Sequence, residues 1–289
     1  MSALRRTISR RVGLAGLAIA AVGASLFALL LPAVAAADPL PARNTAAVLA
    51  PEKWRAGIFE PLEVGVKPGL SLTTSVLPWF LLSPNVGARI EMGRVGPATG
   101  TGEYSLSLPT GAMRILKGYL FPTFATETGD VGWSLVPTAG LVVSGGDRGV
   151  LTGRIETAVG IPLGPTDVTA LESYAPIELI FAPALTGLRV RAGGMYDYRF
   201  VDWLRGRVGV FGYMTGAGPR PHRSPLYFSA EAGLEIGLGS RVRLAVGAVY
   251  FNYDQRKTEV QKNADGYSER VPVRSNDIFP TFDLIIGSR

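Results

Sequence analysis

His222 stands in the run GPRPHRSP, two residues before Ser224, and it is the single histidine in 289 residues. A hydrolase or acyltransferase built on it would need a serine within hydrogen-bond reach of the imidazole and a third polar group to hold the ring. The loop is proline-rich, so the fold itself would have to supply that geometry; otherwise His222 is a solvated loop residue. The arginines form a more regular pattern. LRVRAGG, LRGRVGV and RVRLAVG each place two guanidinium groups two residues apart, at Arg189 and Arg191, Arg205 and Arg207, and Arg241 and Arg243. In extended chain, residues i and i+2 share a face. The same face elsewhere carries Glu231 and Glu235, and Arg154 and Glu156. Such rows could pair as a charged ladder that either closes a bore or lines a narrow channel. Metal and cofactor chemistry is poorly provided for. There is no cysteine, Asp265-Gly266 lacks the carboxylate ladder of a calcium loop, and GAGP, GLGS and SGG read as hairpin turns rather than phosphate loops. We expect no metal site and no cofactor.

Side chains spaced by two need strands to present them. LYFSAEAGLEIGL, from Leu226 to Leu238, separates cleanly by parity: the even positions are all apolar, and the odd positions are Tyr, Ser, Glu, Gly, Glu and Gly. That alternation predicts an extended strand with one apolar face. It recurs around 62–67, 70–76, 86–92, 104–108, 133–143, 151–161, 177–181, 188–197, 204–210, 242–250 and 278–286. The count is about twelve strands, within a range of ten to fourteen. The stretch 111–130 leaves a short helix, a strand, a plug, a lid and a plain loop all open. The charged run DQRKTEVQKNADGYSER, 254–270, reads as a solvated loop, exposed to a partner or to lipopolysaccharide.

The first residues carry a different message. Arg5, Arg6, Arg10 and Arg11 precede an apolar run from Val12 to Leu31, then small residues, AVAAA. This order of charge, apolar core and small residues is that of a cleaved secretory signal over 1–37. Residues 38–57, with Pro39, Pro41 and Pro51, read as a periplasmic tail, and 58–289 as the folded domain. Without the signal, Lys+Arg fall from 29 to 25 against 23 Asp+Glu, a net charge of +2. No dense basic face suggests nucleic acid. Past the signal, no apolar run is long enough for a second membrane helix.

The remaining question is what the apolar faces touch. Two stacked sheets would bury them against each other and leave a soluble exported sandwich, or a lipocalin-like binder. The polar faces argue otherwise, because they set Arg and Glu beside Gly, Ala and Ser, in near-equal numbers of each sign. Long side chains with room beside them suit the inside of a cylinder. Charges are missing from the centres of the apolar faces, where Arg or Lys in lipid would cost about 2–4 kcal/mol each. Aromatic residues gather near strand ends, where amphipathic rings anchor a barrel at the headgroups. In these features, from Leu62 to Gly287, the chain resembles the outer-membrane β-barrel proteins of Gram-negative bacteria. The resemblance implies an all-β transmembrane antiparallel up-and-down barrel, in contact with outer-membrane lipid and lipopolysaccharide and inserted by the barrel-assembly machinery. It departs from the family at its end, FPTFDLIIGSR, where members usually finish on an aromatic residue. The function expected is a structural barrel or narrow passive channel with a salt-bridged lumen. The alternatives are a lipid-modifying barrel enzyme using His222 or the soluble binder.

Overall fold

The computed structural model describes residues 42–115, 131–165, 175–216, 224–262 and 266–288. The expected signal, His222 and most of 111–130 lie outside the described residues. In chain order the elements are β1 (Trp54–Gly57), β2 (Leu62–Lys67), β3 (Leu70–Thr74), α1 (Val76–Phe80), β4 (Asn85–Val95), β5 (Ala98–Ser107), α2 (Thr110–Ile115), β6 (Ser134–Gly146), β7 (Gly149–Val159), β8 (Ile161–Pro162), α3 (Ala175–Thr186), β9 (Leu188–Val201), β10 (Leu204–Thr215), β11 (Leu226–Gly237), β12 (Val242–Lys262) and β13 (Ser268–Gly287).

Every strand pairs antiparallel with its neighbours, and β8 is a two-residue branch on β6. The other twelve form one ring, closed where β1 meets β13. This is a single closed sheet, not two stacked layers. Short turns at 68–69, 96–97, 147–148, 202–203 and 238–241 all fall at one end, here the turn end. The connections carrying α1, α2 and α3 fall at the other, the loop end.

Parity decides which way each side chain points. In β11, Leu226, Phe228 and Leu234 are 54 %, 43 % and 44 % exposed, while Ser229 and Glu235 are 2 % exposed. The same division runs round the ring, with Val86, Ile90, Leu151, Ile155, Val208 and Phe282 outward. Strands of about eleven residues, rising about 3.3 Å per residue and tilted by about 40°, stand roughly 25–30 Å tall, the height of a bilayer's hydrocarbon core. Rings mark both rims. Tyr196 stacks on Tyr198, which meets Phe200 edge-to-face, near the turn end, and Trp79, Phe80 and Trp133 are exposed near the loop end. The architecture is that of a membrane-spanning barrel.

Three expectations are corrected. The stretch 177–181 is helix α3, not a strand; its five residues carry one polar group, too few to separate a period of 2 from 3.6. The helix stops at Gly187, which takes φ +82 and donates its N–H to Pro183 O at 2.9 Å. Residues 254–262 and 268–270 of the charged run are not a loop but strand, in an extended hairpin of β12 and β13 whose ladder shifts register after Asp254 and resumes from Thr258 opposite Pro272 to Lys262 opposite Ser268. Finally, 38–57 is not simply a tail. Residues 54–57 form β1, and the residues just before it run inside the barrel, as described next. Within 111–130, residues up to Ile115 belong to α2.

Candidate functional site in the barrel interior

Arginines fixed on the inner wall reach a strap of main chain that crosses the lumen. Arg207 donates to the carbonyl of Arg43 at 2.9 Å, and Arg154 to that of Asn44 at 3.5 Å. Arg89 donates to the carbonyls of Thr45 and Ala47, and the Thr101 hydroxyl to that of Ala46. Ser144 accepts the N–H of Ala46 at 2.8 Å. Five successive carbonyls are thus held by donors from β4, β5, β7 and β10. Thr45 and Ala46 are buried. Farther on, Gly65 lets the strap lie against β2: a β-carbon there would sit 2.0 Å from Ala50 O. Gly65 also accepts from Glu52 N–H and donates to Lys53 O.

Around the strap the charges pair. Glu63 accepts from Ser71 at 2.6 Å and Arg55 at 2.7 Å, and bridges to Arg89 at 3.0 Å. Arg89 also reaches Glu103 at 2.9 Å, which in turn faces Arg154 at 3.3 Å. On the other wall Arg207 pairs with Asp197 at 3.0 Å and lies 3.5 Å from Glu235. Arg43, on the strap, bonds Glu235 and sits 2.7 Å from Glu60. Burial works against its charge, but Glu235 and Glu60 outweigh that and hold its pKa above the ordinary guanidinium value. Asp283 caps the β1–β2 turn, accepting from the N–H groups of Ile58, Phe59 and Glu60 at 2.7, 3.2 and 2.9 Å.

Nine of the ten expected site residues face inward, but in two tiers rather than one ladder. β9 and β10 run in opposite directions, so Arg189 and Arg191 lie opposite Thr215 and Tyr213, while Arg205 and Arg207 lie opposite Arg199 and Asp197. The turn-end tier holds Arg205, fully buried and in register with Glu235, and Arg243, within electrostatic reach of Glu235. The loop-end tier holds Arg154, Glu156, Arg189 and Arg191. Arg189 bonds Glu156 at 2.6 Å and the Leu179 carbonyl at 2.8 Å, and Arg191 lies 4.0 Å over the Phe211 ring. Glu231 lines the cavity beside Gly209. Arg241 is the exception: it is exposed in the β11–β12 turn.

Above the strap lies a cavity of about 1090 Å³. Its floor includes Arg43, Glu60, Glu63 and Arg89, and its roof includes Leu81, Ala112, Ile177, Ile180 and Phe181 from the three helices and their flanks. Helix α3 carries that roof. On one side Phe181 packs with Ala112, Met113 and Val131; on the other, Ala175 and Leu179 pack with Tyr227, Phe251 and Tyr253. Glu178 accepts from the Tyr227 hydroxyl at 2.9 Å. Sequence reasoning missed both strap and roof. No side-chain pattern signals the strap, because the inner wall holds it through its main-chain carbonyls.

Of the enzyme alternative only Ser224 is described; its N–H bonds Asp254 at 2.8 Å.

No family model matches the chain, and no curated protein matches it. Among solved structures it is similar to outer-membrane-expressed OmpT of Vibrio cholerae, at 8 % identity and TM-score 0.40 over 79 % of this chain and 64 % of that one. It is also similar to a Pseudomonas aeruginosa FadL homologue (14 %, TM-score 0.36, 81 % and 67 %) and to CdiB from Escherichia coli (8 %, TM-score 0.36, 82 % and 53 %). The chain thus spans under two thirds of the OmpT chain's length.

Proposed function

We propose that the protein is an integral outer-membrane barrel whose axial path is closed by its own N-terminal strap, so that it is not an open diffusion pore. The observation that carries this reading is the run of five main-chain carbonyls, Arg43 to Ala47, bonded to side chains of the inner wall. The apolar outer face and the paired rims of aromatic rings support placement in a bilayer. Short turns then face the periplasm and the helical roof faces outward, the usual sidedness of such barrels. Around the strap the charges are matched to one another and to its carbonyls, which favours a packed plug over a water-filled channel of fixed ion preference. The family's lipid, lipopolysaccharide and assembly-machinery contacts follow from that placement.

Planar-bilayer recording tests it. Wild-type protein should give no steady conductance, and deletion of residues 42–50 should give stepwise currents while boiled and unboiled samples still differ in gel mobility. A large steady current from intact protein would remove the reading.

A further inference from the structure

The ring is stitched unevenly. β1 has four residues, β2 six and β3 five, while β12 and β13 have 21 and 20. Among the described residues, β13 pairs on the β1 side only through Ile285, Ile286 and Gly287. On the other side β3 stays joined to β4, by a ladder to Thr73 opposite Gly87 and then by bonds from Thr74 and Ser75 to Asn85. Above Ile285 the wall between β13 and β3 therefore has a seam with no ladder across it. The seam falls within the apolar belt, since Ile278, Phe282 and Leu284 beside it are exposed hydrophobics.

Two details mark this edge as built to stay open. Gly287 N–H donates to Arg241 O on the β12 side, whereas Ser288 N–H donates to Trp54 O on the β1 side. With an unbroken register from Ile286 to Arg274, the even-numbered residues of β13 turn their main-chain groups toward the seam. Pro280 occupies one of those positions and has no N–H to leave unpaired, the place proline takes on an edge strand. At the sill, Phe59 packs edge-to-face on Phe282 at 5.8 Å, and the turn beneath is fixed by Asp283. Both sides of the seam line the interior cavity: Thr74, Leu77 and Pro78 on one, Val249, Pro280 and Thr281 on the other.

The cavity is therefore apolar above, charged below and bordered by a seam facing lipid. At about 1090 Å³ it is of the size that encloses small molecules. Its loop-end wall also holds a cation without a carboxylate. Glu156 lies directly opposite Arg191 in the ladder but is bonded to Arg189, and Glu103 serves Arg89 and Arg154. Arg191 rests on Phe211 and Tyr213, with no ion pair among the described residues, and lines the cavity. A guanidinium so placed suits a carboxylate or phosphate.

We propose that this cavity binds an acyl-chain amphiphile with an anionic head, admitted from the bilayer through the seam between β13 and β1–β3, with Arg191 receiving the head. The inference rests on the membrane placement proposed above and gives the plugged barrel a cargo that avoids its blocked axis.

Photolabelling of the full chain in phosphatidylcholine vesicles tests it, using three diazirine probes: a 16-carbon fatty acid, its methyl ester and a phosphatidylglycerol. Labels on inward or seam residues such as Thr281 and Ile180 are expected from one or both anionic probes. Whichever of the two labels identifies the source as a free acid or a phospholipid. Arg191→Ala should cut anionic labelling at least fivefold and leave the ester unchanged, and Arg191→Lys should restore part of it. Thr281→Trp, which fills the seam, should reduce labelling by every probe. Labels confined to outward residues such as Ile278 and Leu284, or insensitive to both substitutions, would overturn the proposal. Retained heat-modifiable mobility and vesicle association in each variant show that the barrel itself stands. Loss of both in the wild-type chain would instead sink the membrane placement first.

Discussion

Glu63 and Glu91 are both inner-strand carboxylates paired with arginine, and their substitution should have very different effects. Glu63 is buried between Arg55 and Arg89, with Ser71 donating to it as well. Its replacement by Gln leaves two arginines short of their shared counter-charge, a loss on the order of 3–5 kcal/mol. Glu91 pairs with Arg94, whose side chain is 72 % exposed, and such surface pairs contribute about 0–1 kcal/mol. Guanidinium unfolding in lipid vesicles should therefore show a large drop in midpoint for Glu63→Gln and almost none for Glu91→Gln. Equal effects would mean that the interior is wet enough to screen both pairs. Residue types alone do not make this distinction: both carboxylates share the same parity pattern, and only the strap and the crossing arginines separate them.

Strand by strand, much of the barrel is legible in the sequence because an apolar outer face and a charged inner face impose a strict period of two. Eleven of the twelve ring strands have that pattern, and the expected total is nevertheless twelve, since it counts 177–181 and omits β1. Each error has its own cause. WRAG is too short to display a period, and α3 is apolar on most sides because its two faces meet two separate clusters. The strap is invisible for a deeper reason. It is recognised through its carbonyls, which every residue has, so no side-chain pattern announces it. The Arg rows are legible as inward-facing but not in their relative height, which depends on strand direction. At this scale Gly65 gives a test of the strap. Gly65→Val places carbon against Ala50 O, and the strap must shift while the ring, held by its other ladders, remains. We expect faster proteolysis near residues 42–53 and intermittent bilayer currents, with heat-modifiable mobility unchanged.

For the molecule as a whole, the outer face determines where it resides. Leu234 and Glu235 are adjacent in β11, one exposed to the surroundings and one buried against Arg43 and Arg207. In a bilayer, Leu234→Arg should destabilise the barrel by about 2–4 kcal/mol if it lies near the midplane. A soluble protein would tolerate the same change within about 0.5 kcal/mol at an exposed site. Folding titrations in vesicles measure the difference directly, and a neutral result would contradict a lipid-facing β11.

The short join between first and last strands also fixes the order in which the molecule is completed. Twelve ladders close the ring, and the one between β1 and β13 cannot form until Ile285 to Gly287 have been made. A chain cut after Leu284 would keep eleven ladders and still be an open sheet, with both borders free to capture strands from other copies. Three residue pairs therefore separate a closed cylinder from an open ribbon with two unpaired borders.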